Sequence, residues 1–155
     1  MELIRLCECL HNLTMTINET QDSIINNFSL FDEWDEKYGY IIELGKKLPQ
    51  LSDEYKTDDY KIKGCQSQVW LHPYLKDDKI FFDGDSDAII VKGLVSLLIK
   101  ILSGHKPEEI ANADLYFMEK IGMQQHLSIT RSNGLASMVK QMKLYAIAYT
   151  TKHTS

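Results

Sequence analysis

Gln68-Val69-Trp70-Leu71-His72-Pro73-Tyr74-Leu75-Lys76-Asp77-Asp78-Lys79-Ile80-Phe81-Phe82-Asp83 is the stretch on which the fold turns. Two runs rich in Val, Trp, Tyr, Ile and Phe, Gln68 to Leu75 and Lys79 to Asp83, flank the polar Lys76-Asp77-Asp78-Lys79. Aromatic and β-branched residues suit a pleated surface, and Asp tolerates the left-handed backbone angles of a tight turn. The pattern predicts an antiparallel hairpin, extended to a small sheet by a third short run at Tyr60 to Lys63. Pro73 has no amide hydrogen for a ladder, so its strand lies at an edge or ends there.

On either side the apolar period becomes helical. Leu3, Ile4, Leu6, Cys7, Leu10 and Leu13 mark a first segment. Thr16-Ile17-Asn18-Glu19 has the form of a capping box, opening a helix with Ile17, Ile24, Ile25 and Phe28 on one side. Ser29 and Asp32 offer a start before Trp34, Tyr38, Ile41 and Ile42, and Gly45 with Pro49 offers a stop. Ser86 is placed to cap a helix running through Ile101, with Ile89, Ile90, Leu94, Leu97, Leu98 and Ile101 buried and Gly104 ending it. Pro107-Glu108-Glu109 suits a helix's first turn. A last helix from Arg131 to Tyr149 carries Leu135, Met138, Val139, Met142, Tyr145 and Ala146 on its inner stripe. The expected fold class is α+β, a small three-stranded antiparallel sheet packed with about six helices. Residues 1–15 read as an N-terminal extension, 16–150 as the domain and 151–155 as a tail.

Composition narrows the function classes. A chain of 155 residues, 44% apolar and 25% charged, makes one domain whose core needs no disulfide or metal staple. Its 22 acidic against 17 basic residues leave a net charge of −5, which argues against a general nucleic-acid binder. No apolar run approaches the ~20 residues that span a bilayer, and Met1 to Leu13 makes a poor secretory signal. Three cysteines, an odd and small number, fit a reducing cytosol where a thiol works as a thiol. Cys7, Cys9 and His11 invite a metal reading, but helical positions two apart point about 200° apart and cannot chelate together. The five histidines show no ligand spacing, and His72 reads as structural.

The chemistry-bearing stretch is Lys63-Gly64-Cys65-Gln66-Ser67-Gln68-Val69-Trp70. Gly64 permits a sharp turn between two strand-like runs and sets Cys65 on a loop tip. Thiol exchange needs that access, because the attack on a second sulfur is in line. Lys61 and Lys63 supply positive charge that favours the thiolate, and Gln66, Ser67 and Gln68 supply neutral donors for an anionic sulfur. By residue type alone, a lone Cys beside Gly is more often a buried small hydrophobe than a nucleophile. Both readings stand at this point.

Ile62-Lys63-Gly64-Cys65-Gln66-Ser67-Gln68-Val69-Trp70 resembles the signature of the SufE family of sulfur acceptors. The likeness extends to Phe31-Asp32-Glu33-Trp34, Ile42-Glu43-Leu44-Gly45, Gly84-Asp85-Ser86-Asp87-Ala88, Ile90-Val91-Lys92-Gly93-Leu94, His126-Leu127-Ser128 and Arg131-Ser132-Asn133-Gly134-Leu135, from about Ile17 to Tyr149. The resemblance implies a SufE/NifU-like fold and a cytoplasmic carrier that takes sulfur onto Cys65 from a SufS-type or CsdA-type, pyridoxal-phosphate cysteine desulfurase. It further implies delivery to a SUF scaffold complex in iron–sulfur cluster assembly, activation of the desulfurase, no cofactor or metal on this chain, and no nucleic-acid or membrane partner. The chain is then a sulfurtransferase partner rather than an independent enzyme.

Gly64, Gln66, Ser67, Gln68, Arg131 and Asp87 are the expected supporting residues. Arg131 either pairs with a carboxylate to hold the fold or faces the sulfur site or partner. Asp87 reads as a first-turn carboxylate favoured by the helix dipole, with docking as the alternative. Val69 and Trp70 read as core. Where the family usually has proline, between Ser128 and Arg131, this chain has Ile129-Thr130, a departure that touches a turn. An iron–sulfur scaffold of the NifU type would need three spread cysteines, and only Cys65 lies within the domain. A cysteine hydrolase would need His72, His105 or His126 positioned as base. A desulfurase activator that takes no sulfur is the remaining alternative.

Overall fold

A computed structural model describes residues 15–153, with side chains to residue 150. The segment carrying Cys7, Cys9 and His11 lies outside the described residues, as do the side chains of the expected tail. The capping box forms: the Glu19 amide donates to Thr16 Oγ1 at 3.1 Å and the Thr16 amide to Glu19 Oε1 at 3.2 Å. It opens α1 (Ile17–Phe28), which buries Ile17, Ile24 and Phe28. Helix α2 (Trp34–Lys46) starts at Glu33 with no side-chain cap, so neither Ser29 nor Asp32 serves as its start, and Asp35 and Glu36 complement the dipole instead.

Gly45 was expected as a stop, yet α2 runs past it to Lys46. Its purpose is close approach. A Cβ on Gly45 would lie 2.7 Å from the Gly93 amide nitrogen, and one on Gly93 would collide with the Ile41 carbonyl. Two glycines thus let α2 cross α3 (Ile89–Leu102) backbone against backbone.

Strands β1 (Val69–Lys76) and β2 (Lys79–Ser86) pair antiparallel, with Lys76 opposite Lys79. Asp77 and Asp78 both take positive φ, 54° and 64°, the two-residue turn whose twist matches the strands. Alternation buries Val69, Leu71, Ile80 and Phe82 on the inner face. Trp70 falls on the outer face and is half-buried, so it is not core as expected. His72 is structural: its ring stacks on Tyr55 at 3.7 Å between centroids and meets Tyr60 edge-on.

The third strand is not formed, and among the described residues the sheet has two strands. Tyr60 to Lys63 makes one isolated bridge, Lys61 with Trp70, through Ile62 N–H to the Val69 carbonyl (2.8 Å) and Leu71 N–H to the Tyr60 carbonyl (2.9 Å). Donors on that edge alternate, so the next would be residue 73, and proline has none.

Ser86 does not cap α3, which begins after Ala88. Its hydroxyl donates to the Gln68 carbonyl at 2.8 Å and accepts from the Ala88 amide at 3.3 Å. Ile89 accordingly lies outside the buried face, whereas Leu94, Leu97, Leu98 and Ile101 fill it. Beside Ser86, buried Asp85 accepts from the Ser86 amide (2.8 Å) and pairs with Lys56 (3.2 Å) and Lys92 (3.4 Å). Burial alone pushes that carboxyl up, but the amide and the two ammonium groups outweigh it and hold it below the usual aspartate value.

Short helices α4 (Pro107–Ala111), α5 (Phe117–Ile121) and α6 (Met123–His126) lead into the long α7 (Ile129–His153). Buried Gln21 ties α1 to this run, donating to the Asp114 carbonyl at 3.0 Å and accepting from the Phe117 amide at 3.1 Å. Helix α7 buries Leu135, Met138, Met142 and Ala146, with Val139 and Tyr145 partly covered. Seven helices lie among the described residues against about six expected, one of which, Leu3 to Leu13, falls outside them; the two helices not expected are α5 and α6. None is long and apolar enough to cross a membrane.

Candidate functional site

After the bridge at Lys61 the chain turns through Gly64, whose φ of 91° is closed to most side chains. A Cβ there would also lie 2.7 Å from Ser137 Oγ, so the loop rests directly on α7. Cys65 follows and is half-buried. Its Sγ donates to the Gly134 carbonyl at 3.5 Å, and a Cβ on Gly134 would stand 3.4 Å from the sulfur. Gly134 and Ser137 stand three residues apart, so one face of α7 carries these contacts, and Arg131 lies one step further along the same face.

A cavity of about 300 Å³ opens beside the thiol. Apolar Val91 and Met138 line it together with polar Gln66, Ser67, Ser128 and Thr130, and with the exposed Arg131. The Arg131 guanidinium enters no ion pair among the described residues, so it does not hold the fold through a carboxylate. Gln66, Ser67 and Arg131 therefore line the same cavity as Cys65, with Gly64 shaping the turn.

Gln68 and Asp87 are not. The Gln68 amide donates to Asp87 Oδ1 at 3.0 Å, and the Asp87 amide returns a bond to the Gln68 carbonyl. Asp87 lies before α3 rather than inside it, so its carboxylate fastens the far end of the loop to the start of the helix instead of serving the dipole.

Burial pushes the Cys65 thiol up, opposite to the effect expected of Lys61 and Lys63. Those lysines line a neighbouring groove of about 540 Å³ with Lys140. The sulfur's hydrogen bond is also as donor, to a carbonyl, which favours the neutral thiol. A pH profile of iodoacetamide alkylation at Cys65 is expected to inflect above that of an unfolded cysteine peptide and to return to the ordinary value in denaturant. An inflection below the peptide's would contradict this electrostatic account.

The family model for SufE, described as an Fe-S metabolism associated domain, matches residues 22–146. The chain belongs to the SufE family. A SufE-like protein of Rhizobium meliloti, itself uncharacterized, is 44% identical over 127 residues, covering 79% of this chain and 91% of the relative. One of Rhizobium etli is 46% identical over 127 residues, covering 79% and 86%. The solution structure of a hypothetical protein from Thermus thermophilus superposes with a TM-score of 0.71 at 17% identity, covering 85% of this chain and 96% of that one, and so shares the fold.

Membership associates the chain with Fe-S metabolism. Within the SufE domain, Gly134 is the residue whose role the sequence reading left unassigned. Its signal was present: a glycine inside a helical pattern usually has a packing reason. Val91, Ser128, Thr130 and Met138 carried no comparable mark. Among the described residues, no group of three or more His, Cys, Asp or Glu is arranged to hold a metal ion.

Proposed function

We propose that this SufE-family chain is a cytoplasmic sulfur carrier that takes persulfide sulfur from a pyridoxal-phosphate cysteine desulfurase onto Cys65 and passes it toward iron–sulfur cluster assembly. The observation that carries the reading is the free Cys65 thiol, held by the Gly64 turn against Gly134 at the edge of an open cavity. The cofactor stays on the desulfurase, of SufS or CsdA type, and the SUF scaffold complex is the acceptor downstream.

The Cys65 thiolate attacks the outer sulfur of the desulfurase persulfide. The S–S bond to the enzyme's cysteine breaks, its electron pair leaves as the enzyme thiolate, and a new S–S bond forms at Cys65. One such linkage is exchanged for another, so no external oxidant or reductant enters and the step is close to balanced. Burial pushes the resting thiol up, so docking that lowered it would favour the attacking thiolate. Emptying the desulfurase would also raise its turnover.

The test is mass spectrometry of the chain after incubation with desulfurase and free cysteine. The peptide holding Cys65 should gain one reducible sulfur atom, and only when the desulfurase is present. If that peptide never gains sulfur while the desulfurase turns over, the reading fails.

A further inference from the structure

We propose that the cavity beside Cys65 is a binding site for a small thiol bearing a carboxylate, to which a persulfide on Cys65 hands its outer sulfur directly. The inference rests on the carrier reading, since it needs a persulfide at that position.

The lining of the cavity names the ligand class. It contains one guanidinium and no carboxylate, so its fixed charge is positive although the chain as a whole carries −5. The planar fork of Arg131, with no ion pair among the described residues, matches a carboxylate with two parallel hydrogen bonds. Hydroxyls of Ser67, Ser128 and Thr130 and the Gln66 amide offer further donors around it. Val91 and Met138 give the same space an apolar side suited to a short carbon chain. At about 300 Å³ the cavity stands at the small end of ligand sites, room for a molecule of amino-acid size and too little for a coenzyme. Cys65 lines the same space, so a ligand whose carboxylate sits on Arg131 has reach for a sulfur beside Sγ.

The step balances. The ligand thiolate attacks the outer sulfur of the Cys65 persulfide, the S–S bond at Cys65 breaks, and a new one forms on the ligand. The electron pair stays on Cys65 Sγ, which takes up a proton, and nothing is oxidised or reduced overall.

Cys65 is loaded with inorganic polysulfide, without desulfurase, and its discharge is followed by mass spectrometry with 3-mercaptopropionate or with its uncharged amide. At equal thiolate concentration the acid is expected to discharge Cys65 about tenfold faster and to saturate. The net negative charge of the chain would by itself produce the opposite preference. Arg131→Gln should bring the two rates together, and Arg131→Lys should keep part of the preference. Each variant is read as a ratio within one preparation, so general damage to the fold cancels. Equal rates for acid and amide in the wild type, or a preference that survives Arg131→Gln, overturns the inference and leaves the cavity to a protein partner. Should polysulfide not load Cys65, desulfurase and free cysteine load it instead and are removed before discharge; failure of that loading overturns the carrier reading, whereas equal acid and amide rates on a loaded chain overturn only this inference.

Discussion

Cys65→Ser is expected to leave the fold standing and to abolish sulfur acceptance. The replacement is close in shape, and a serine hydroxyl keeps a donor for the Gly134 carbonyl that Sγ now meets at 3.5 Å. The side chain is only half-buried, so stability should change by less than about 1 kcal/mol. Chemistry changes far more. A hydroxyl is not ionised at neutral pH and forms no bond to sulfur equivalent to the persulfide linkage, so the acceptor step has no nucleophile. Labelled sulfur from cysteine should stay with the desulfurase, with none on this chain, while thermal unfolding stays near that of the wild type. Turnover of the desulfurase supplies the discriminating readout: it should fall to the level seen without the chain. If Cys65→Ser stimulates turnover as well as the wild type, the chain is an adaptor that takes no sulfur, and transfer to Cys65 is the wrong mechanism.

Features legible in the sequence were those governed by near neighbours. The Thr16–Glu19 capping box, the Asp77-Asp78 turn, the first-turn Pro107 and the inner stripe of α7 each depend on residues within a few positions, and each formed. The third strand was misread because its pairing depends on what the partner strand can donate, and Pro73 removes the next donor. Lys61 and Lys63 are close to Cys65 along the chain, yet in the fold they line a different groove. Proximity in sequence did not put them in the cavity beside the thiol. Cys65 itself was legible as a motif, but its environment was not: the Gly134 carbonyl that receives its hydrogen bond lies 69 residues further on. Gln68 and Asp87 show the converse, two polar residues read as site or helix-dipole groups that are joined instead by hydrogen bonds between the Gln68 backbone and Asp87.

Gly93→Ala should be the most damaging small substitution in the core, and the same change at Gly39 should do the reverse. Both glycines lie inside helices, where alanine ordinarily gains about 1 kcal/mol over glycine through lower backbone entropy. Around Gly39 in α2 a new methyl meets nothing within 4 Å, so Gly39→Ala should stabilise by up to roughly that amount. At Gly93 the methyl would drive into the Ile41 carbonyl and the Ile41 side chain. A backbone carbonyl inside a helix has no rotamer to escape by, so α2 must move off α3 or the two must separate. The propensity gain is then overwhelmed, with a net loss of about 3 kcal/mol, which in a domain of this size lowers the melting temperature by roughly 10 °C. Paired thermal melts of the two variants read the sign directly, and a Gly93→Ala protein as stable as Gly39→Ala would refute the backbone-to-backbone crossing. The consequence reaches the site as well, because Val91 stands on α3 two residues before Gly93 and lines the cavity beside Cys65. Any Gly93→Ala chain that still folds should therefore accept sulfur more slowly, its thiol unchanged but one wall of the cavity displaced.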